Sequence, residues 1–120
     1  MNNETQELST YMREIADRSI HGDIDWVQPN PSTFHWLTPR SLVSIQKAIS
    51  PKPARGLLDM AREEASYLFQ VTDKGNRQVL VSMSSRDRPE FADLFERIYL
   101  SAERGMDARA SKVLRSLLED

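Results

Sequence analysis

The stretch Tyr67-Leu68-Phe69-Gln70-Val71-Thr72-Asp73-Lys74-Gly75-Asn76-Arg77-Gln78-Val79-Leu80-Val81-Ser82-Met83 decides the fold. Tyr67, Phe69 and Val71 alternate with Leu68, Gln70 and Thr72; after a polar break, Val79, Val81 and Met83 alternate with Gln78, Leu80 and Ser82. Strand side chains point to opposite faces with a period of two, so each run offers one apolar face to a core. The break Asp73-Lys74-Gly75-Asn76 holds turn residues, with glycine where a positive φ is expected. Together these features predict an antiparallel hairpin.

Upstream, the same alternation predicts three more strands. Ile24, Trp26 and Gln28 form one register, then Pro29-Asn30-Pro31-Ser32 reads as a turn, and Phe34 and Trp36 form the next. Beyond Thr38-Pro39-Arg40, residues 41–49 put Val43, Ile45 and Ile49 on one face and Leu42, Ser44, Gln46 and Ala48 on the other. Lys47 falls in the apolar register, which predicts a strand end, a bulge or a sheet edge there. Pro51, Pro53 and Gly56 mark a loop, and a short helix is expected from Leu57 to Glu64.

Helical periodicity brackets the strands. Leu8, Tyr11, Met12, Ile15, Ala16 and Ser19 recur at spacings of three and four, predicting a helix over 4–21 that Gly22 ends in a left-handed cap. Phe91, Leu94, Phe95, Ile98 and Ala102 predict a second helix begun near Asp87 and Pro89 and ended at Gly105. Asp107 then opens a third, striped by Ala110, Val113, Leu114, Leu117 and Leu118. Runs of strands kept apart from runs of helices predict a single α+β domain over residues 1–120. Its antiparallel sheet of four to five strands carries an N-terminal helix and two C-terminal helices on one face.

Composition narrows the class. The chain has 120 residues, 39% hydrophobic and 28% charged, which suits one hydrophobic core. No apolar run approaches the roughly 20 residues of a bilayer span, and the polar start Met1-Asn2-Asn3-Glu4-Thr5 lacks the form of a signal peptide. Cysteine is absent, which removes disulfides, thiolate nucleophiles and zinc–thiolate sites. A cytoplasmic location without membrane association is expected.

Net charge is −2, but the charges alternate in blocks. Between Trp26 and Leu58 there is no acid, while Arg40, Lys47, Lys52 and Arg55 are present. Residues 74–88 hold Lys74, Arg77, Arg86 and Arg88 against Asp87. Lys47, Lys52, Arg55, Arg77, Arg86 and Arg88 could therefore form a basic rim that binds nucleic acid or a nucleotide.

The chemistry of a known catalytic centre is missing. There is no phosphate-binding glycine loop, no dinucleotide fingerprint and no nucleophile elbow. His21 is expected to cap the first helix, and His21 with Asp23 and Asp25 is too common a cluster to specify a metal. His35, between Phe34 and Trp36, lacks a sequence-evident nucleophile or orienting carboxylate. Trp26, Phe34 and Trp36 read as core aromatics rather than a base-stacking platform. No cofactor, metal or catalytic residue is expected, and an enzyme is the less favoured class. A small hydrolase or metal-dependent enzyme around His21 or His35 is the third reading.

The sheet face opposite the core is more informative. It would carry Ser44, Gln46, Ala48, Leu68, Gln70, Thr72, Gln78, Leu80 and Ser82, none of them charged. At this overall charge content, nine uncharged positions arise by chance about one time in twenty. Solvated faces usually carry Lys, Glu or Arg, so an uncharged face suits burial against another protein surface.

The pattern resembles a loose group of small uncharacterised bacterial and phage proteins. Gly22-Asp23-Ile24-Asp25-Trp26 after a first helix carries the resemblance, with Asn30-Pro31-Ser32-Thr33-Phe34-His35-Trp36, the hairpin start Tyr67-Leu68-Phe69-Gln70-Val71-Thr72-Asp73 and a terminal helix pair. Residues 50–64 read as an insertion in that pattern. The resemblance implies no activity and transfers no site residue. The leading expectation is a non-enzymatic interaction or regulatory protein, of mobile-element origin, that meets a protein partner or a second copy through its uncharged sheet face.

Overall fold

The computed structural model describes residues 3–52 and 62–119. Helix α1 (Asn3–Ile20) leads into strands β1 (Trp26–Asn30), β2 (Thr33–Leu37), β3 (Ser41–Lys52), β4 (Arg62–Asp73) and β5 (Val79–Ser84). A 3-10 turn over Pro89–Phe91 then opens helix α2 (Ala92–Glu119). The five strands form one sheet in the order β1-β2-β3-β4-β5, each antiparallel to the next.

One core lies between the sheet and the helices. Phe34, Val43, Ile45, Tyr67, Phe69 and Met83 face it from the strands, Met12 and Ala16 from α1, Phe91 from the 3-10 turn, and Phe95, Ile98, Tyr99 and Ala102 from α2. Trp26 is buried at the start of β1 with its ring edge-on to Trp36 at 6.2 Å, so the three aromatics fill the core side as expected. Tyr11, read as part of the α1 stripe, is instead exposed.

Helix α1 ends as the sequence predicts. Gly22 has φ 80°. Its N–H bonds the Ser19 carbonyl at 3.1 Å and the Asp23 N–H bonds the Arg18 carbonyl at 2.8 Å, the paired bonds of a Schellman cap. The His21 ring reaches the Asp17 carbonyl with Nδ1 at 2.6 Å, a further cap on the carbonyl end.

Several local expectations change. The β4–β5 turn does not use Gly75 for its positive φ; Arg77 adopts φ 59°. The Asp73 carboxylate accepts the Gly75 and Asn76 N–H groups at 2.7 and 3.3 Å, and the Asn76 side chain accepts the Gln78 N–H at 2.9 Å. Side-chain oxygens thus shape this turn where glycine was expected to. Lys47 does not end its strand. Strand β3 is interior and runs through it, with the Lys47 ammonium 5.6 Å from the centre of the Tyr99 ring. Strand β2 reaches only to Gln46, however, so from Ala48 onward β3 is paired with β4 alone. Ser50–Lys52 and Arg62–Glu64 extend that ladder, which replaces the loop and helix expected at those positions; the rest of that expectation, residues 53–61, lies outside the described residues.

The two closing helices are one. Helix α2 spans 28 residues and passes through Gly105 without a break. A mid-helix glycine costs only about 1 kcal/mol, and residues 107–119 are rich in Ala, Arg, Lys and Leu, which keep the helical ladder cheap to extend. The core stops at Ala102, with Gly105 and Met106 half-buried, and every residue from Asp107 to Glu119 is exposed. The radius of gyration is 17.1 Å, against roughly 14 Å for a compact chain of this length.

Tyr67 and Tyr99 lie 5.6 Å apart in the core beside Glu96 and Glu103. Burial first, then the nearby carboxylates, raises both phenols above their ordinary value near 10. An unfolded phenol ionises at about pH 10 and the folded one only above that, so stability is complete below pH 10 and falls as pH rises through the folded values. Urea unfolding between pH 8 and 11 should show this loss, and Tyr67→Phe should reduce it. An identical loss in Tyr67→Phe would exclude this phenol as the cause.

Candidate functional site

The open face of the sheet is built by ladder pairing. Val27 pairs with His35, His35 with Ser44, Ser44 with Gln70 and Gln70 with Ser82, a row that crosses all five strands without a carboxylate, lysine or arginine. The Gln70 amide donates to Ser82 Oγ at 3.2 Å along this row. The next row joins Leu37, Leu42, Thr72 and Val79, and the row on the other side joins Gln46, Leu68 and Ser84. Both described helices lie on the opposite face, because the buried positions of β3 to β5 alternate with these. In β2 Phe34 does so too, while Thr33, which pairs with Gln46, is buried at the end of the open-face row.

The apolar row comes from a feature that alternation cannot reveal. The pairings Val71↔Val81 and Thr72↔Val79 leave Leu80 as an extra residue, a β-bulge. Val79, expected in the core register, is therefore set opposite Thr72 and is half exposed. Leu80 is 55% exposed and Leu37 57%. The bulge thus places two aliphatic side chains together on an edge strand, in the same cross-strand row as Leu37 three strands away.

Of the face residues named from sequence, Ser44, Gln46, Ala48, Leu68, Gln70, Thr72, Leu80 and Ser82 lie on the sheet, all half or fully exposed. Gln78 lies in the β4–β5 turn, bonded to Asn76. His35 and Leu37 belong to the same surface and were missed, although the alternation of β2 carried them.

The basic residues do not form one continuous rim. Arg77 sits in the turn before β5, while Arg86 and Arg88 follow its other end, on the order of 20 Å away along a six-residue strand. Lys47 lies over Tyr99, and Arg88 lies over Phe91 and 3.6 Å from Glu90. Lys52 pairs with Arg62 at the far end of the β3–β4 ladder, and Arg55 lies outside the described residues.

A cleft of about 320 Å³ lies between the end of α1, the start of β1 and the middle of α2, lined by Asp25, Arg104 and Arg109 among others. Its floor is a closed hydrogen-bond chain. Trp26 Nε1 donates to Ser19 Oγ at 2.9 Å, the Ser19 and Ser101 hydroxyls are 2.5 Å apart, and Ser101 Oγ donates to the Ile98 carbonyl at 2.8 Å. Both serines are thereby engaged, with each other, the Trp26 indole and the Ile98 carbonyl. Arg109 Nη2 donates to the Trp26 carbonyl at 2.6 Å, which pins α2 to β1 just as the helix leaves the domain. Among the described residues, His21, Asp23 and Asp25 do not come together as a metal-ligating group, and no helix is long and apolar enough to cross a membrane.

The chain matches no protein-family description, no characterised protein and no solved structure, so its geometry alone carries the functional reading.

Proposed function

We propose that this chain is a non-enzymatic interaction protein that binds another protein surface through the open face of its sheet. The observation that carries the reading is the five-strand row from Val27 to Ser82, uncharged throughout and flanked by exposed Leu37, Val79 and Leu80. A water-facing sheet would gain solubility from charge at these positions; an interface core is depleted of charge and mixes apolar groups with hydrogen-bonding ones. Gln70, Ser44 and Ser82 supply donors and acceptors along the row, and the bulged end supplies apolar area.

Charge placed on this face should abolish association and leave the domain folded. Leu80 is open to solvent, so Leu80→Glu should change stability by no more than about 0.5 kcal/mol; Gln70→Glu also loses the amide bond to Ser82 and should cost about 1 kcal/mol. Light scattering after size exclusion should show the wild type above the mass of one chain and both variants at lower mass, with unchanged circular dichroism. Variants that associate as the wild type does would overturn the reading.

A further inference from the structure

The open sheet face is one uncovered surface; the end of α2 is another. From Asp107 the helix has left the core, yet Ala110, Val113, Leu114, Leu117 and Leu118 keep an apolar stripe at spacings of three and four. Leu117 is 67% exposed and Leu118 88%. Neither surface can cover the other within one molecule, because α2 packs on the face of the sheet opposite the open one and is held there by Phe95, Ile98 and Arg109.

Resting on the reading that the open face is an interface, we infer that its occupant is the α2 tail of a second copy of this chain, and that the exchange is reciprocal. Dimensions support the match. Thirteen helical residues extend about 20 Å, and the four intervals between five strands span about 19 Å. Charge supports it as well. Lys112 and Arg115 lie outside the apolar stripe, so an uncharged face meets an uncharged stripe while the cations stay in water. Area sets its strength. A helix about 10 Å wide lying over about 20 Å covers on the order of 200 Å² of each surface. Each copy contributes both a tail and a face, so the total reaches roughly 800 Å², the size of a weak, reversible interface. Two identical surfaces exchanged about a twofold axis form a closed dimer, which leaves neither patch free to polymerise. The result completes the missing layer: each sheet gains a helix on its second face.

Complementation tests this. The double variant Leu114→Glu/Leu117→Glu alters only exposed tail positions, and Leu80→Glu alters only the face. Each protein alone should lose the dimer, with a dissociation constant raised about 100-fold. An equimolar mixture should recover a heterodimer, because the intact tail of one fits the intact face of the other. Since the chain has no cysteine, a Leu117→Cys protein mixed with a Gln70→Cys protein should form an intermolecular disulfide on mild oxidation, and Leu117→Cys alone should not. If the tail variant dimerises like the wild type while Leu80→Glu does not, the tail inference falls and the face reading stands. If Leu80→Glu dimerises and the tail variant does not, both fall in favour of tail pairing. A wild type that stays a single chain up to about 1 mM, where even a weak interface is occupied, overturns the self-exchange.

Discussion

Replacing Phe95 by alanine is expected to remove about 3–5 kcal/mol of folding stability, a large part of the 5–15 kcal/mol of a typical domain. Phe95 is completely buried where α2 crosses the sheet. Its ring stacks on Phe69 with centres 5.9 Å apart and planes within 5°, and the tilted ring of Phe91 is centred 6.0 Å away. The truncation removes transfer free energy and leaves a cavity that the neighbours, fixed in a sheet and a helix, fill only in part. Leu117→Ala on the same helix supplies the contrast. That side chain is mostly in water in the single chain, so its removal should change stability by less than about 0.5 kcal/mol. Urea unfolding at a concentration low enough to keep the chain dissociated measures both. Equal costs at the two positions would show that α2 is not divided into a packed half and a projecting half.

That division explains what the sequence could and could not reveal. Periodicity reports the burial an element is patterned for, and it found the β4–β5 hairpin and the α2 stripe from Phe91 to Ala102 directly. It also found the uncharged face, since one face of an alternating strand implies the other. It could not see the bulge at Leu80, because a one-residue insertion leaves the local pattern intact and changes only the pairing. Val79 was assigned to the core for that reason. Gly105 misled in a different way. A glycine before Asp107 has the form of a stop and a new cap, but the cost of one glycine is smaller than the cost of nucleating another helix. The apolar residues beyond it were legible as a stripe, yet a stripe says nothing of which molecule covers it. Residues 62–64 were read as helical from their composition, while the partner strand at Ser50–Lys52 keeps them extended.

Ser19→Ala is expected to cost about 1–3 kcal/mol, because it leaves the buried indole N–H of Trp26 without an acceptor. The geometry sets the direction of the chain. Ser101 gives its proton to the Ile98 carbonyl, so Ser19 gives its own to Ser101 and is free to accept from Trp26. No buried side-chain polar atom among the described residues lacks a partner, so the removal creates an orphan rather than adding to one. A double-mutant cycle isolates the effect. Trp26→Phe removes the donor, so in Trp26→Phe/Ser19→Ala the orphan is gone, and the two costs should fall short of their sum by about 0.5–3 kcal/mol. Additive costs would mean that water from the neighbouring cleft replaces the serine hydroxyl. The distinction matters beyond stability. This chain of hydroxyls ties the end of α1 and the start of β1 to α2 one turn before Gly105, and Arg109 ties the next turn to the same tryptophan. The direction in which the tail leaves the domain is therefore set at Trp26. If a second copy receives that tail, Ser19→Ala should weaken dimerisation although Ser19 touches neither surface, and light scattering on that variant at fixed concentration would measure it.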